Sequence, residues 1–271
     1  MRRSPASYAA SRARRIARLF VVVLTTAASA LPAQAAYRDD GIAYDRDGRV
    51  AYRETHWRYA DGDARRRLVL YRCADGRPFA RKVMRWLDPT EAAPDFEFLD
   101  QRDGYREGLV SDAEGRQVFW QADRATEERR ERVQLGSDAV ADAGFDSFVR
   151  RHWATLIAGT PVKAAFLIPS DFNAIPVVIR LAPGPQEGPT VTFAIELDRW
   201  YAFVLPSLSV TYDRRDQSLR VFEGAVTVRD DSGRRRWARV EFPADRQALA
   251  ADRGEIAAAT TETLVSRCGE G

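Results

Sequence analysis

Asp-Gly and related pairs punctuate this chain at short intervals, and they narrow what it can fold into. Asp61-Gly62-Asp63, Asp75-Gly76, Asp103-Gly104, Glu114-Gly115 and Asp230-Asp231-Ser232-Gly233 each separate runs rich in aromatic and β-branched residues. In such a pair the glycine takes positive φ and the Asp carboxylate bonds its own backbone, so the chain reverses tightly. The runs between them read as strands. Six precede residue 140, at 50–59, 66–73, 78–86, 96–100, 105–110 and 117–121. Six follow residue 160, at 162–168, 175–181, 191–197, 201–212 (bent at Pro206), 219–229 and 236–242. Short links make neighbouring strands antiparallel. The alternation of Val191, Phe193, Ile195 and of Leu208, Val210, Tyr212 gives strands with one apolar face. Asp39-Asp40-Gly41 and Asp45 to Gly48 read as turns, and the charge-dense stretch 123–132, with EERRER inside it, as an exposed loop or short solvated helix.

One stretch breaks this rhythm. Over 142–159, DAGFDSFVRRHWATLIAG, the residues Phe145, Phe148, Val149, His152, Trp153, Leu156 and Ile157 fall in one stripe at about 100° per residue. Asp142 is placed to cap the N-terminus, and Gly159 followed by Pro161 is a stop signal. So broad an aromatic stripe needs a sheet to pack on. The expected fold is mainly β (α+β): a strongly curved antiparallel sheet, or incomplete β-barrel, of about twelve strands. A central amphipathic helix packs on its concave side. The domain spans 36–243, and the Ala-rich tail 244–271 carries only a weak helical pattern.

Residues 1–35 stand apart. Arg2, Arg3, Arg12, Arg14, Arg15 and Arg18 form a basic region without acids, an apolar run covers 19–28, and Ala33-Gln34-Ala35 is an A-x-A cleavage site. This is a secretory signal peptide cut after Ala35, which places the mature protein in the periplasm with no transmembrane segment. Taking six arginines from 42 basic residues leaves 36 against 39 acids, a net charge of −3. Nothing in that balance points to nucleic acid. In an oxidising compartment the two cysteines, Cys73 and Cys268, are either a disulfide that staples the tail to a strand or two unrelated thiols.

Catalytic signatures are sparse. Two histidines, His56 and His152, with no Cys-x-x-Cys or His-x-His spacing, do not make a zinc site. The Asp45-Arg46-Asp47-Gly48 stretch lacks the closing Glu of a calcium loop. No nucleophile elbow, P-loop or dinucleotide-binding glycine pattern is present. No metal and no cofactor is expected. Asp95, Glu97 and Glu107 are the one carboxylate group with the makings of acid/base chemistry on a glycan; the same alternation also suits a solvated strand face.

The segments LVLYRCADGRPFARK (68–82), PDFEFLDQRDGYREG (94–108), ADAGFDSFVRRHW (141–153), FLIPS (166–170) and VTYDRRDQSLRVFEGAVTVRDDSG (210–233) resemble a group of uncharacterised exported proteins of Gram-negative bacteria. The architecture, an exported half-barrel with a central helix, is similar to the outer-membrane lipoprotein-carrier (LolA-like) superfamily, whose members hold acyl chains in an apolar cavity. That resemblance, with aromatics on most strands, implies a binding or carrier protein for a hydrophobic ligand, lipid or acyl chain, in a cavity between sheet and helix. Phe145, Phe148, His152 and Trp153 are the candidate cavity residues. The alternatives are an envelope protein–protein interaction module with a filled core, and a glycan-acting hydrolase.

Overall fold

The computed structural model of the protein describes residues 35–198, 208–230 and 232–269. The expected signal peptide, apart from Ala35, and the start of the strand expected at 201–212, with Pro206, lie outside them. A first meander comprises β1 (Ala36–Tyr44), β2 (Val50–Asp61), β3 (Ala64–Arg72), β4 (Pro78–Trp86), β5 (Asp95–Asp100), β6 (Tyr105–Asp112), β7 (Gly115–Gln121) and β8 (Arg129–Val133). The short β9 (Ala139–Val140) leads into α1 (Gly144–Arg151) and α2 (Trp153–Ile157). The second meander comprises β10 (Val162–Ile168), β11 (Asn173–Leu181), β12 (Thr190–Leu197), β13 (Leu208–Asp213), β14 (Leu219–Arg229) and β15 (Arg235–Glu241). After it come β16 (Leu249–Ala251) and α3 (Arg253–Thr261).

The meanders join at β1. Its second half pairs with β15, with Ile42 opposite Glu241, and its first half pairs with β16, with Ala36 opposite Ala251. The described residues thus form one sheet of sixteen strands, antiparallel except between β9 and β10. β8 and β9 are its two edges and do not pair with each other, so the sheet stays open.

Both faces carry apolar side chains, but unequally. On the inner face, Phe148, Val149 and Leu156 of the helices pack with Val177, Ile179, Phe193 and Tyr212 of β11–β13. Burying Phe148 or Leu156 contributes about 2–3 kcal/mol each. Trp153 meets Phe193 and Tyr212 edge-on, at centroid distances of 5.6 and 5.9 Å. A separate cluster on the outer face joins Trp57, Leu68 and Leu70 to Ile256 and Ala259 of α3.

The structure departs from the expected fold in strand number and helix number. Among the described residues eleven of the twelve expected strands are found, the twelfth, expected at 201–212, is strand from Leu208, and β1, β8, β9 and β16 are additional. Asp39-Asp40-Gly41 is strand because Asp39 is held by Arg58 of β2, and because Gly41 leaves room for the Phe242 ring where a Cβ would collide with it. β8 takes in Arg129–Arg132, the RRER of the EERRER stretch. As an edge strand it keeps charge on both faces, which discourages pairing with another chain. The helix expected over 142–159 is broken at His152 into α1 and α2, ending near Gly159 (φ +83°). Asp142 does not cap it: the N-cap is Ala143, with no side-chain bond. α1 also needs Gly144, since a side chain there would overlap the Ala92 carbonyl. The tail contains a second helix site in α3, capped by Asp252, which accepts from the Glu255 N–H.

Cys73 and Cys268 form a disulfide in the structure, with their Cα atoms 5.5 Å apart across 195 residues of sequence. It ties the segment after α3 to the end of β3. Removing a bridge that closes so long a loop costs roughly 2–5 kcal/mol. A Cys73→Ser/Cys268→Ser variant is expected to unfold at correspondingly lower urea, and an unchanged midpoint would remove the bridge from the account of stability.

Candidate ligand-binding cavity

Strand register decides which side chains meet inside the sheet. Residues directly opposite on antiparallel strands share a face. His56 lies opposite Val69, Val69 opposite Lys82, Lys82 opposite Phe98, Phe98 opposite Glu107, and Glu107 opposite Trp120. One row across six strands therefore carries a histidine, a lysine and a glutamate into the interior. The corresponding lining from the second meander is mainly apolar. Between the two lies a cavity of about 1000 Å³, with Phe145 of α1 at its border. Its apolar wall includes Ile175, Val177, Ile195, Leu208, Val210 and Phe222.

The polar wall is built of pairs. Lys82 Nζ donates to Asp142 Oδ2 at 2.6 Å, with the two side chains only 7 and 9% exposed. The rings of Tyr71 and Phe98 flank the ammonium at 5.8 and 5.4 Å, where their π-faces attract it. Asp142 holds this position at φ 46°, a left-handed conformation that Asp tolerates better than most residues. Its other carboxylate oxygen accepts from the Ala143 N–H. The residue expected to cap the helix thus anchors its entrance to β4 instead.

Tyr105 donates to Glu107 Oε2 at 2.5 Å. Burial pushes the Glu107 carboxyl above the ordinary glutamate range, against the lowering effect of that hydrogen bond; nearby Asp142 also raises it, and Lys82 and Arg235 lower it. Burial likewise raises the phenols of Tyr52, Tyr71, Tyr105 and Tyr212 well above their ordinary value, so all four are neutral hydroxyls. His56 Nε2 and Glu54 Oε2 are 2.7 Å apart, and Arg58 grips Asp39 through Nε and Nη2 at 2.6 and 3.0 Å.

Of the four residues expected to line the cavity, Phe145 does so. Phe148 is 2% exposed and fills the helix–sheet core, and Trp153 is spent on Phe193 and Tyr212. His152 stacks on Phe148 at 4.5 Å, and partial burial, with Arg151 beside it, lowers its pKa. These three correct the expected lining. Their stripe meets the sheet at β11–β13, while the cavity opens beside the first turn of α1. The carboxylates Asp95, Glu97 and Glu107 do not assemble. Glu107 faces inward opposite Phe98, whereas Asp95 and Glu97 alternate onto the outer face, where Asp95 pairs with Arg85 at 2.6 Å and Glu97 is exposed. Of the polar residues that line the cavity, Arg67, Lys82 and Tyr105 carry no motif, and Asp142 reads from the sequence only as a helix cap. One signal was available for Lys82, one of only two lysines in a chain that otherwise uses arginine.

Two variants test the polar wall. Asp142→Asn keeps the shape and the tolerance for positive φ but leaves Lys82 buried without a counter-charge. It is expected to cost about 3–5 kcal/mol, and adding Lys82→Met is expected to recover most of that. Additive losses in the double variant, measured by urea unfolding, would show that the two side chains are not coupled. For Glu107 the sign follows from its raised pKa. The folded state holds the proton more tightly than the unfolded one, so stability falls as pH rises through and above the ordinary glutamate range. Glu107→Gln still accepts from Tyr105 and escapes that loss. It is expected to be more stable than wild type at about pH 8 and equal to it at about pH 3, below the ordinary glutamate range.

Among the described residues no three His, Cys, Asp or Glu side chains converge to hold a metal ion, and no helix is long and apolar enough to cross a membrane. Compared with known proteins, the chain matches no family model, no curated protein and no solved structure.

Proposed function

We propose that this protein binds or carries a hydrophobic ligand, a lipid or acyl chain, in the cavity between the sheet and α1, and that it does so in the periplasm without catalysing a reaction. The observation that carries this reading is an interior space of about 1000 Å³ with one wall made of aliphatic and aromatic side chains. Its size is at the upper end of small-molecule pockets, roughly 300–1,000 Å³, and apolar lining with a few placed polar groups is what such sites have in common. An apolar cavity left open is a cost that a filled core avoids, and a hydrophobic ligand offsets it. The interior space speaks against the filled-core interaction module, and the scattering of Asp95, Glu97 and Glu107 speaks against the glycan hydrolase. The disulfide suits an oxidising compartment, as export to the periplasm would provide. The likeness to lipoprotein carriers, an incomplete barrel around an apolar space, supports the reading as an analogy of architecture.

Native mass spectrometry of the protein purified from its periplasm is expected to show co-purifying lipid or fatty acid. After delipidation the protein is expected to take up a hydrophobic dye that added fatty acid displaces. Absence of both bound lipid and dye uptake would remove the proposal.

A further inference from the structure

Three guanidinium groups and two carboxylates border one region of the cavity: Arg58, Arg67 and Arg150, with Asp39 and Asp146. Two pairs account for four of them. Arg58 holds Asp39 at 2.6 and 3.0 Å, and Arg150 Nε donates to Asp146 Oδ1 at 3.2 Å. Lys82, further along the wall, is taken by Asp142. Arg67 is the cation left over. It lies on β3 directly opposite Arg58, a like-charge pairing that disfavours the sheet unless something offsets it. Among the described residues no carboxylate comes within ion-pair distance of it, and its Nε is buried with no hydrogen-bond partner. Its guanidinium sits 5.5 Å from the centre of the Trp86 ring, which gives it a flat, apolar support. Burial lowers its pKa from the ordinary arginine value, the mark of a charge short of compensation; the charged groups acting on it are Asp146, Arg58, Asp39 and Arg150. An arginine stays protonated even so, and this half-buried guanidinium, whose Nη groups have no hydrogen-bond partner among the described residues either, is a planar fork for an oxyanion.

We propose that the ligand of this cavity is an amphiphile with an acidic head, a carboxylate or a phosphate monoester, that Arg67 receives the head, and that the apolar wall receives the chain. The proposal rests on the hydrophobic-ligand reading and adds the chemistry of the ligand's other end. The two walls differ as required: Arg67, half-buried and without a carboxylate partner, is on β3 of the first meander, and Val177, Ile195, Leu208 and Val210 are on the second, whose own unpaired cation in the lining, Arg235 of β15, is exposed. A neutral lipid would leave the guanidinium uncompensated, whereas an acid satisfies it by charge-assisted, bidentate hydrogen bonds.

The test compares three ligands of one chain length on the delipidated protein at pH 8: oleate, oleyl alcohol and 1-oleoyl-lysophosphatidate. Binding is read by titration calorimetry below the concentrations at which each forms micelles. At least one of the two acids is expected to bind roughly tenfold to a hundredfold more tightly than the alcohol. Whichever acid gains the larger margin identifies the head as carboxylate or phosphate. Arg67→Met is expected to abolish the margin while leaving the affinity for oleyl alcohol unchanged. Equal binding of acids and alcohol by the wild type, or a margin that survives Arg67→Met, would overturn the proposal and leave the hydrophobic-ligand reading standing. Failure of all three ligands to bind would overturn that reading as well. Should Arg67→Met not recover the native circular-dichroism spectrum, the wild-type comparison of acids with alcohol decides alone.

Discussion

The ion pair between Lys82 and Asp142 is the contact on which the interior of this protein depends. It joins residues 60 apart in sequence, one in the middle of β4 and one at the entrance to α1. Each charge would be costly alone at that depth, and their attraction there is stronger than at a surface. Because both must be satisfied together, the start of α1 has one permitted position relative to the first meander. The rest of the helix is then laid over β11–β13, where Phe148 and Leu156 find their core. The pair fixes the first turn of the helix on the polar side, and hydrophobic burial fixes the remainder on the apolar side. Asp142 reaches Lys82 from a left-handed backbone conformation that a regular helix would not use.

That arrangement leaves the interior divided by chemistry rather than uniformly apolar. The first meander contributes Tyr105, Glu107, Lys82 and the Arg58–Asp39 pair; the second contributes mainly aliphatic and aromatic side chains. Most of the charges on the polar wall are already matched, and neutral phenols surround them. A lining of this kind can accept a molecule with two unlike ends and orient it. A cavity of uniform polarity would have no means of telling one end from the other.

Much of the fold was legible and little of the site. The expected strands are present within the described residues because their signals are local: a Gly at positive φ follows about half of the runs, as after β2, β3, β5, β6, β11 and β14, and alternation marks the faces of others. The four strands that were missed lack that local support. β1 is read as turn because Asp39 and Gly41 are poor strand formers, and only its partners, Arg58 and Phe242, explain it. β8 carries no apolar face, and β9 and β16 are too short to show a period. The stripe of the central helix was also legible, but what it faces was not. Periodicity shows that Phe148 and Trp153 are inward, without saying whether a sheet or a void lies opposite. The polar wall has a different obstacle. Lys82 meets Asp142 across 60 residues of sequence, and Arg67 faces Arg58 and Met84 rather than a carboxylate because of the register of β2, β3 and β4, and no short motif encodes either.

The position of β1 has a consequence for how the chain reaches this structure. Its partners β15 and β16 are made roughly two hundred residues later than β1 itself, so the earliest of the described strands is among the last to be completed. Until then its outer edge presents unpaired N–H and C=O groups beside a finished β1–β2 hairpin, a template that another chain could extend. Contacts of such long sequence separation also make for slow folding. Cys73 shares the wait, since Cys268 arrives later still. The sheet is thus sealed from its end backwards, and the interval before sealing is when the protein is most exposed to misassembly.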